Sequence, residues 1–411
     1  MAGRDAGGAV TLADIEAAQA AIAPTIVHTP VFTSRWLSAE LGAPVVLKAE
    51  MFQRTGSFKT RGAANKIASL GREAAVGVVC ASAGNHAQAV ALAANLAGVS
   101  CEVFMPKDAS IGKTEATRHY GATVHLGGEM IDEALQAARA CADETGRVFV
   151  HPFDDPAIIA GAGTLGLELL GDVPGCSRVV VPLGGGGLTS GVAVALKSSR
   201  PEIEVIAVQA ATCAPYPASI AAGTPVPIEG SVNTLADGIA VKRPGDLTLA
   251  LVRSLVDQVI TVSEDEIAEA MVLLMERAKL LVEGAGAVGV AAILAGRIPA
   301  AAGTTAVVLS GGNVDSGTLA PAIRLRETNA GRRLVLLSVF PDRPGQLAKL
   351  LEVIGDTGAN LVEVEHLREG FDLHVRETAV VLTLETRDRT HAELVIDTAR
   401  AAGYTVRRMG G

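Results

Sequence analysis

Thr55-Gly56-Ser57-Phe58-Lys59-Thr60-Arg61-Gly62-Ala63 is the stretch of this sequence that decides its fold. A lysine in such a motif could simply begin a solvent-exposed helix. Three further motifs, distant from it in the sequence, indicate instead that Lys59 is functional. They are Ser82-Ala83-Gly84-Asn85-His86, Gly184-Gly185-Gly186-Gly187-Leu188 and Ser310-Gly311-Gly312-Asn313. An amine, a glycine-rich loop and polar side chains are what a protein must supply to an aldehyde cofactor that carries a phosphate. The combination indicates a pyridoxal phosphate enzyme.

The length of the chain indicates how many domains it has, and its charge indicates which kind of ligand it binds. A chain of 411 residues exceeds what one hydrophobic core usually serves, so two or three domains are expected. The net charge of -9, with no block of five like charges, argues against nucleic acid as a partner. Small molecules are therefore the expected ligands.

Cysteine usage and the apolar segments bear on the compartment. The five cysteines are an odd number without a Cys-x-x-Cys pair, which predicts reduced, buried thiols instead of disulfides or a zinc cluster. No apolar run follows the first eight residues, and the most apolar stretch, 284–296, is shorter than the roughly 20 residues that span a bilayer. We expect a soluble, cytoplasmic protein with no membrane partner.

Short valine-rich runs alternate with alanine-rich helical segments up to residue 331. Examples are the run 77–80 before the segment 85–97, and the run 179–183 before the segment 189–197. Apolar runs of this length separated by helix-length segments predict βαβ units and a mainly parallel sheet. Functional residues are then expected at the carboxyl ends of the strands.

The composition changes near the end of the chain. Charged residues make up 23 of the last 80 positions but only 56 of the first 331. We predict a catalytic region over 1–325, with a small subdomain at roughly 50–160, then a linker over 326–333. Residues 334–411 show the order strand, helix, strand, strand, helix, strand, which is a ferredoxin-like βαββαβ module.

Lys59 is the candidate catalytic residue and holds the cofactor aldehyde in this interpretation. Imine chemistry requires a neutral amine, and burial, nearby positive charge and a phosphate compete in setting the pKa of such a lysine. The same amine, displaced by substrate, can remove the α-proton. Gly184 to Gly187 lie between a predicted strand and an apolar helix, where backbone N–H groups can converge on a phosphate. A run of four glycines alone would equally suit a flexible turn.

Three polar positions complete the candidate site. Ser82 is either a simple helix N-cap or, with neighbouring N–H groups, a donor to the substrate carboxylate, while Asn85 can bond the cofactor's phenolic oxygen. Ser310 ends a predicted strand, and its hydroxyl beside the ring nitrogen would leave that nitrogen largely unprotonated. The ring is then a weaker electron sink, which favours β-elimination over transamination.

On these motifs the first 325 or so residues resemble the threonine dehydratase (threonine ammonia-lyase) family of fold type II pyridoxal phosphate enzymes. The tail resembles an ACT regulatory domain through Asp342-Arg343-Pro344-Gly345-Gln346-Leu347. The resemblance implies an α/β fold with two catalytic subdomains, like the tryptophan synthase β chain, followed by one ferredoxin-like ACT domain. A single ACT copy is similar to the medium-length form of the family.

The resemblance also implies the residues of each site. For the cofactor these are Phe58, Lys59, Asn85, Gly184, Gly185, Gly186, Gly187, Leu188 and Ser310, with Lys59 also the catalytic base. For the substrate they are Ser82, Ala83, Gly84, Asn85 and His86. For an amino-acid effector they are Asp342, Arg343, Pro344, Gly345 and Gln346.

Three alternatives are weighed against threonine deamination. Threonine synthases usually carry Asp after the lysine, where this chain has Thr60. Serine racemases keep a second base, a serine that aligns with Ala83, and a metal site that aligns with Gln209, Cys213 and Pro215. None of these three side chains is a carboxylate of the kind Mg²⁺ or Ca²⁺ prefers, so no metal is predicted. A non-catalytic, amino-acid-sensing scaffold would be expected to lack Lys59 or Asn85, and both are present.

The sequence therefore predicts conversion of L-threonine to 2-oxobutanoate and ammonia, with L-serine giving pyruvate as a secondary activity. The ACT domain predicts allosteric control by an amino acid, and the family suggests a homodimer or homotetramer. A catabolic role and a role in isoleucine biosynthesis remain equally open, as does the identity of the effector.

Overall fold

The structure is a computed structural model that describes residues 10–368 and 373–409. The chain divides into two compact units after Thr318. The helices up to this boundary are α1 (Leu12–Ile22), α2 (Arg35–Leu41), α3 (Lys59–Leu70), α4 (Asn85–Leu96), α5 (Ile111–His119), α6 (Ile131–Thr145), α7 (Pro156–Asp172), α8 (Gly187–Ser199), α9 (Pro215–Ala222), α10 (Asp246–Leu255), α11 (Glu264–Leu273) and α12 (Gly284–Leu294). The strands are β1 (Val31–Thr33), β2 (Val45–Ala49), β3 (Val78–Ala81), β4 (Cys101–Met105), β5 (Thr123–Leu126), β6 (Val148–Phe149), β7 (Cys176–Pro182), β8 (Glu204–Ala210), β9 (Gln258–Val262) and β10 (Thr304–Leu309).

Two sheets organise the first unit. The larger has the order β1-β2-β10-β7-β8-β9, and every pair in it is parallel except β1 with β2. The smaller has the order β5-β4-β3-β6 and is parallel throughout. It falls within the range predicted for the small subdomain. The prediction of βαβ units and parallel sheets is confirmed.

Continuous apolar runs explain why the central strands lie in the middle of their sheets. From Val179 to Val181 every residue of β7 is fully buried, as are Val205 to Val208 of β8. Strands covered by helices on both faces read as unbroken valine and isoleucine runs instead of alternating patterns. Because β3, β7 and β10 run parallel to their neighbours, their carboxyl ends deliver the residues that follow them to the edges of the sheets.

The second unit is a four-stranded antiparallel sheet with helices. Its elements are α13 (Ser316–Asn329, which starts just before the boundary), β11 (Arg333–Pro341), α14 (Gln346–Gly355), β12 (Asn360–Leu367), β13 (Glu377–Glu385), α15 (Arg389–Ala401) and β14 (Thr405–Arg408). The strand order is β12-β13-β11-β14. Along β11, Leu334, Leu336 and Phe340 are buried at alternate positions and share a core with Leu350 of α14 and Val395 of α15. The predicted βαββαβ order is confirmed.

The segment predicted as a linker, 326–333, differs from that expectation. Helix α13 extends through its first four residues, and β11 begins at its last one. Ala322 and Thr328 of this helix are buried. Most helical stability in proteins comes from tertiary packing, which the polar composition of the segment does not reveal. Among the described residues, no helix has the length and apolarity needed to cross a membrane.

Candidate active site

The motif residues of the first unit meet in one cavity. Its volume is about 460 Å³. It lies where β3, β7 and β10 end: Ser82 and Ser310 directly follow β3 and β10, Gly184 is the second residue after β7, and all three line the cavity. The other predicted residues that line it are Phe58, Lys59, Ala83, Gly84, Asn85, His86, Gly185, Gly186, Gly187 and Leu188. Sequence reasoning thus found elements that are more than 200 positions apart in the chain and adjacent in space.

Lys59 is the first residue of α3, and it lines the cavity next to Pro152. Its Nζ donates a hydrogen bond to the carbonyl of Pro152 at 2.8 Å. Removal from water lowers the pKa of Lys59 to about 8, and the carboxylate of Glu283 opposes this by favouring the ammonium form. The backbone of the preceding residue is fixed as well, because Phe58 N–H donates to the carbonyl of Ser310 at 3.0 Å. A lysine with this pKa is available as a nucleophile and as a base near neutral pH.

Arg61, in the first turn of α3, holds this turn in place through buried ion pairs. Its guanidinium is fully buried and bonds Glu50 through Nε and Nη2, each at 2.8 Å. It also bonds both carboxylate oxygens of Glu168, at 2.6 and 2.9 Å. Lys48, also fully buried, pairs with Glu168 and Asp172 at 2.6 and 3.0 Å. Forked pairs of this geometry fix orientation as well as charge, so they hold the turn that carries Lys59.

A chain of hydrogen bonds joins two amide side chains and one acid, of which Asn85 and Glu283 line the cavity. Asn85 Nδ2 donates to Glu283 Oε1 at 2.8 Å, and Asn85 Oδ1 accepts from Asn313 Nδ2 at 2.8 Å. The Asn313 amide also donates to the carbonyl of Thr55. These bonds use the amide oxygen of Asn85 and one of its two N–H groups, so the second N–H is left for another acceptor. The orientation suits the predicted contact with a phenolic oxygen.

Glu283 is a site residue that the sequence alone did not reveal. It caps α12, is 5 % exposed and lines the cavity. Burial and the carboxylate of Asp237 raise the pKa of Glu283 to about 7, although the hydrogen bond from Asn85 lowers it. The available signal was a single acid directly before the most apolar helix of the chain. A carboxylate at that point must either face solvent or find a partner inside.

The glycine loop between β7 and α8 leaves no room for side chains. A Cβ at Gly185 would lie 2.2 Å from the ring of Phe153, and one at Gly184 would lie 2.8 Å from the backbone of Ile239. Gly186 has φ +94°, in the region that favours glycine. Within residues 10–368 and 373–409, the N–H groups of Gly185, Gly186 and Gly187 donate no hydrogen bond. Free N–H groups at a helix N-terminus form an anion site.

Residues 82–86, at the N-terminus of α4, also line the cavity. Ser82 Oγ accepts a hydrogen bond from Gly84 N–H at 3.1 Å, so the hydroxyl shapes this turn itself. His86 uses its imidazole for a bond to the carbonyl of Val150 at 3.1 Å. Burial together with the positive charge of Lys59 lowers the pKa of His86 to about 3, so the ring stays neutral. A positive helix end with a neutral histidine favours a carboxylate there without supplying a competing acid.

These features fit pyridoxal phosphate. The amine with a lowered pKa matches the aldehyde, the free N–H groups of the glycine loop match the phosphate, and the spare N–H of Asn85 matches the phenolic oxygen. Ser310, 3 % exposed and lining the cavity, matches the ring nitrogen.

The three positions that align with a racemase metal site have other roles in this structure. Gln209 Nε2 donates to the carbonyl of Leu183 at 3.2 Å, and its Oε1 accepts from Tyr216 N–H at 3.2 Å. Cys213 is a buried free thiol, and Pro215 starts α9. The amide of Gln209 is therefore committed to the backbone.

The predicted effector turn lies in the second unit. Gly345 caps α14 with φ +82°, and Gln346 N–H donates to the carbonyl of Arg343 at 3.3 Å. Asp342 pairs with Arg368 at 3.3 Å, and both side chains are largely exposed. The turn thus presents a helix N-terminus beside a glycine whose backbone angle few other residues adopt.

The chain is similar to known proteins along most of its length. A family model described as pyridoxal-phosphate dependent enzyme matches residues 22–311. The "L-threonine ammonia-lyase" of Thermotoga maritima is 46% identical over 402 residues, which cover 98% of this chain and 100% of that protein. The "L-threonine dehydratase catabolic TdcB" of Escherichia coli K12 is 43% identical over 309 residues, which cover 74% of this chain and 94% of that protein.

Solved structures show the same fold for the first unit. The processed form of threonine deaminase isoform 2 from Solanum lycopersicum has a TM-score of 0.72 and 34% identity, and the match covers 76% of this chain and 91% of that one. A maize serine racemase has a TM-score of 0.72 and 38% identity, and the match covers 78% of this chain and 99% of that one. Fold alone does not separate the two activities, so the site residues must do so.

Proposed function

This chain belongs to the family of pyridoxal-phosphate dependent enzymes, and we propose that it deaminates L-threonine to 2-oxobutanoate and ammonia. The observation that carries the proposal is Lys59, a lysine whose pKa is lowered to about 8 in a cavity that also receives the glycine loop and the N-terminus of α4. The relatives named for this reaction match 74% of this chain in Escherichia coli K12 and 98% of it in Thermotoga maritima.

When bound, pyridoxal phosphate supplies an aldehyde that condenses with amino groups and a ring that withdraws electrons from the α-carbon. Lys59 would hold that aldehyde before substrate arrives. The N–H groups at the start of α4 receive the substrate carboxylate, which fixes the α-carbon next to the freed amine. Lys59 then takes the α-proton, because its lowered pKa keeps part of the amine neutral near pH 7.

The balance of the reaction is an internal dehydration followed by hydrolysis. The β-hydroxyl of threonine departs with a proton as water after the α-proton is removed. One water then returns when the C=N bond of the product is hydrolysed, so threonine yields 2-oxobutanoate and ammonia without an external oxidant. Because L-serine carries the same β-hydroxyl, we propose it as a secondary substrate that gives pyruvate.

Ala83 argues against racemisation. A racemase needs a proton donor on the face of the α-carbon opposite to the lysine, and the methyl side chain of Ala83 supplies none. His86 cannot replace it, because its imidazole is held by Val150 and stays neutral with its pKa at about 3. We therefore place elimination ahead of inversion in this site.

The second unit supports a proposal of regulation. Its βαββαβ order with the turn 342–346 suits an ACT domain that binds an amino acid at the N-terminus of α14. We propose that such binding tunes threonine deamination in a cytoplasmic homodimer or homotetramer. Allostery requires that the effector bind two states of the enzyme with different affinity.

Steady-state kinetics of the purified holoenzyme test the function. L-Threonine and L-serine are compared by keto-acid release, each with and without isoleucine, valine and AMP. We expect threonine to be the better substrate and at least one amino acid to shift the substrate curve. Formation of D-serine as quickly as pyruvate, seen by chiral chromatography, would overturn the assignment in favour of a racemase.

A further inference from the structure

The carbonyl of Gly185, in the middle of the glycine loop, is held by two buried hydroxyl groups. Thr248 Oγ1 donates to it at 2.8 Å and Tyr216 Oη at 3.1 Å. Both side chains are fully buried, and neither lines the cavity. They therefore lie on the side of the loop that faces away from the candidate active site, where no substrate or cofactor reaches them.

Other parts of the fold fix these two residues in turn. Tyr216 lies in the first turn of α9, and its N–H donates to Gln209 Oε1 at the end of β8. Thr248 lies in the first turn of α10, and its N–H donates to Asp154 Oδ1 at 3.0 Å. Asp154 is next to Phe153, whose ring packs on the loop. The backbones of Tyr216 and Thr248 are thus held by hydrogen bonds, which fixes the positions from which their hydroxyl groups reach the loop.

The hydrogen bonds to the Gly185 carbonyl also determine the direction of the Gly186 N–H group. The carbonyl of Gly185 and the N–H of Gly186 belong to one planar trans peptide, so they point in opposite directions. A carbonyl held toward Tyr216 and Thr248 directs the Gly186 N–H to the other side of the loop, and Gly186 lines the cavity. The support is close, because a Cβ at Gly186 would lie 2.1 Å from Tyr216 Oη.

We propose that Tyr216 and Thr248 are positioning residues that aim the Gly186 N–H of the glycine loop at the cofactor phosphate. The inference rests on the proposed function, since it requires a phosphate at this loop. A run of four glycines has more backbone freedom than any other sequence, and ordering it on binding would cost affinity. Two hydroxyls that hold the peptide in advance remove part of that cost. A role in core packing alone would leave phosphate affinity unchanged.

Comparing pyridoxal phosphate with pyridoxal isolates the phosphate contribution. Both compounds offer the same aldehyde to Lys59, and only one carries a phosphate. The affinity of the full-length, cofactor-free protein for each compound is measured by absorbance titration. The readout is the dissociation constant of pyridoxal divided by that of pyridoxal phosphate. The variants are Tyr216→Phe, Thr248→Val and the double variant. Thr248→Ser restores the hydroxyl, and Thr117→Val removes a buried helical hydroxyl that bonds the carbonyl of Lys113 at 2.8 Å.

Each removed hydroxyl is expected to reduce the ratio about tenfold, the equivalent of one buried hydrogen bond. Pyridoxal affinity should stay unchanged, Thr248→Ser should restore the ratio, and Thr117→Val should leave it at the wild-type value. Melting of each cofactor-free variant shows that it is folded. An unchanged ratio in the double variant overturns the positioning role.

The same titration separates this inference from the proposed function. If wild-type protein binds neither compound, the proposed function itself fails. If it binds both equally, the glycine loop is not the phosphate site, and the inference fails with that assignment.

Discussion

The acidity of Lys59 gives the proposed chemistry a measurable consequence. With a pKa of about 8 in place of the usual 10.5, about a tenth of the amine is neutral at pH 7 instead of about one part in 3000. Reaction with an aldehyde requires the neutral form, so Lys59 should combine with the cofactor about 300 times faster at pH 7 than an ordinary lysine of equal accessibility. The rate should rise with pH and level off above about pH 8.

Glu283→Gln is the informative perturbation. Glutamine keeps an oxygen that accepts from Asn85 Nδ2, but it removes the charge that favours the ammonium form of Lys59. The pKa of Lys59 should therefore fall further, and uptake at pH 7.5 should be about 1.6- to threefold faster for about 0.4–1.4 kcal/mol of attraction, since about a quarter of the wild-type amine is already neutral at that pH. Because the pKa of Glu283 is about 7, its charge is lost in acid, and the two proteins should converge below about pH 6.

Stopped-flow absorbance of cofactor uptake by the cofactor-free, full-length protein measures these rates from pH 6 to 10. Lys59→Ala, which offers no amine, is the control for non-specific binding. A wild-type rate that still rises tenfold per pH unit at pH 9.5 would show that the lysine titrates normally. Slower uptake by Glu283→Gln at pH 7.5 would show that the carboxylate acts otherwise than through its charge.

Other substitutions test neighbouring parts of the molecule. Lys59→Ala should lower turnover by several orders of magnitude, and activity above about a tenth of wild type would remove it from the catalytic role. Arg61→Met leaves two buried carboxylates short of a partner, so urea unfolding should show a loss of about 3–5 kcal/mol. Ala83→Ser should raise D-serine formation from L-serine in chiral chromatography, while EDTA leaves wild-type deamination intact. Gly345→Val should weaken the effector response more than Gly358→Val, because only Gly345 lies in the predicted effector turn. Gly358 is a matched control, since both glycines have φ +82° and no heavy atom within 4 Å of an added Cβ.

Much of the fold was accessible from local patterns. The valine run of β7, the four glycines after it and the apolar segment of α8 indicated a strand, a turn and a helix, and the structure has them there. The tail showed its βαββαβ order for the same reason. Periods of two and of 3.6 residues are written into consecutive positions, so neither needs tertiary information. Helix α13 was not predicted, because the polar residues at its C-terminal end show no helical periodicity.

The sequence by itself also determined which chemical groups the site contains, since an amine, four glycines and an asparagine have few joint uses. Only the tertiary structure decided how they act. Glu283 meets Asn85 across 198 positions, and Lys59 meets the carbonyl of Pro152 across 93. Contacts at such separations have no local period, and a pKa depends on burial and on charges brought near by folding. The lowered pKa of Lys59 is therefore a property of the fold and not of its motif.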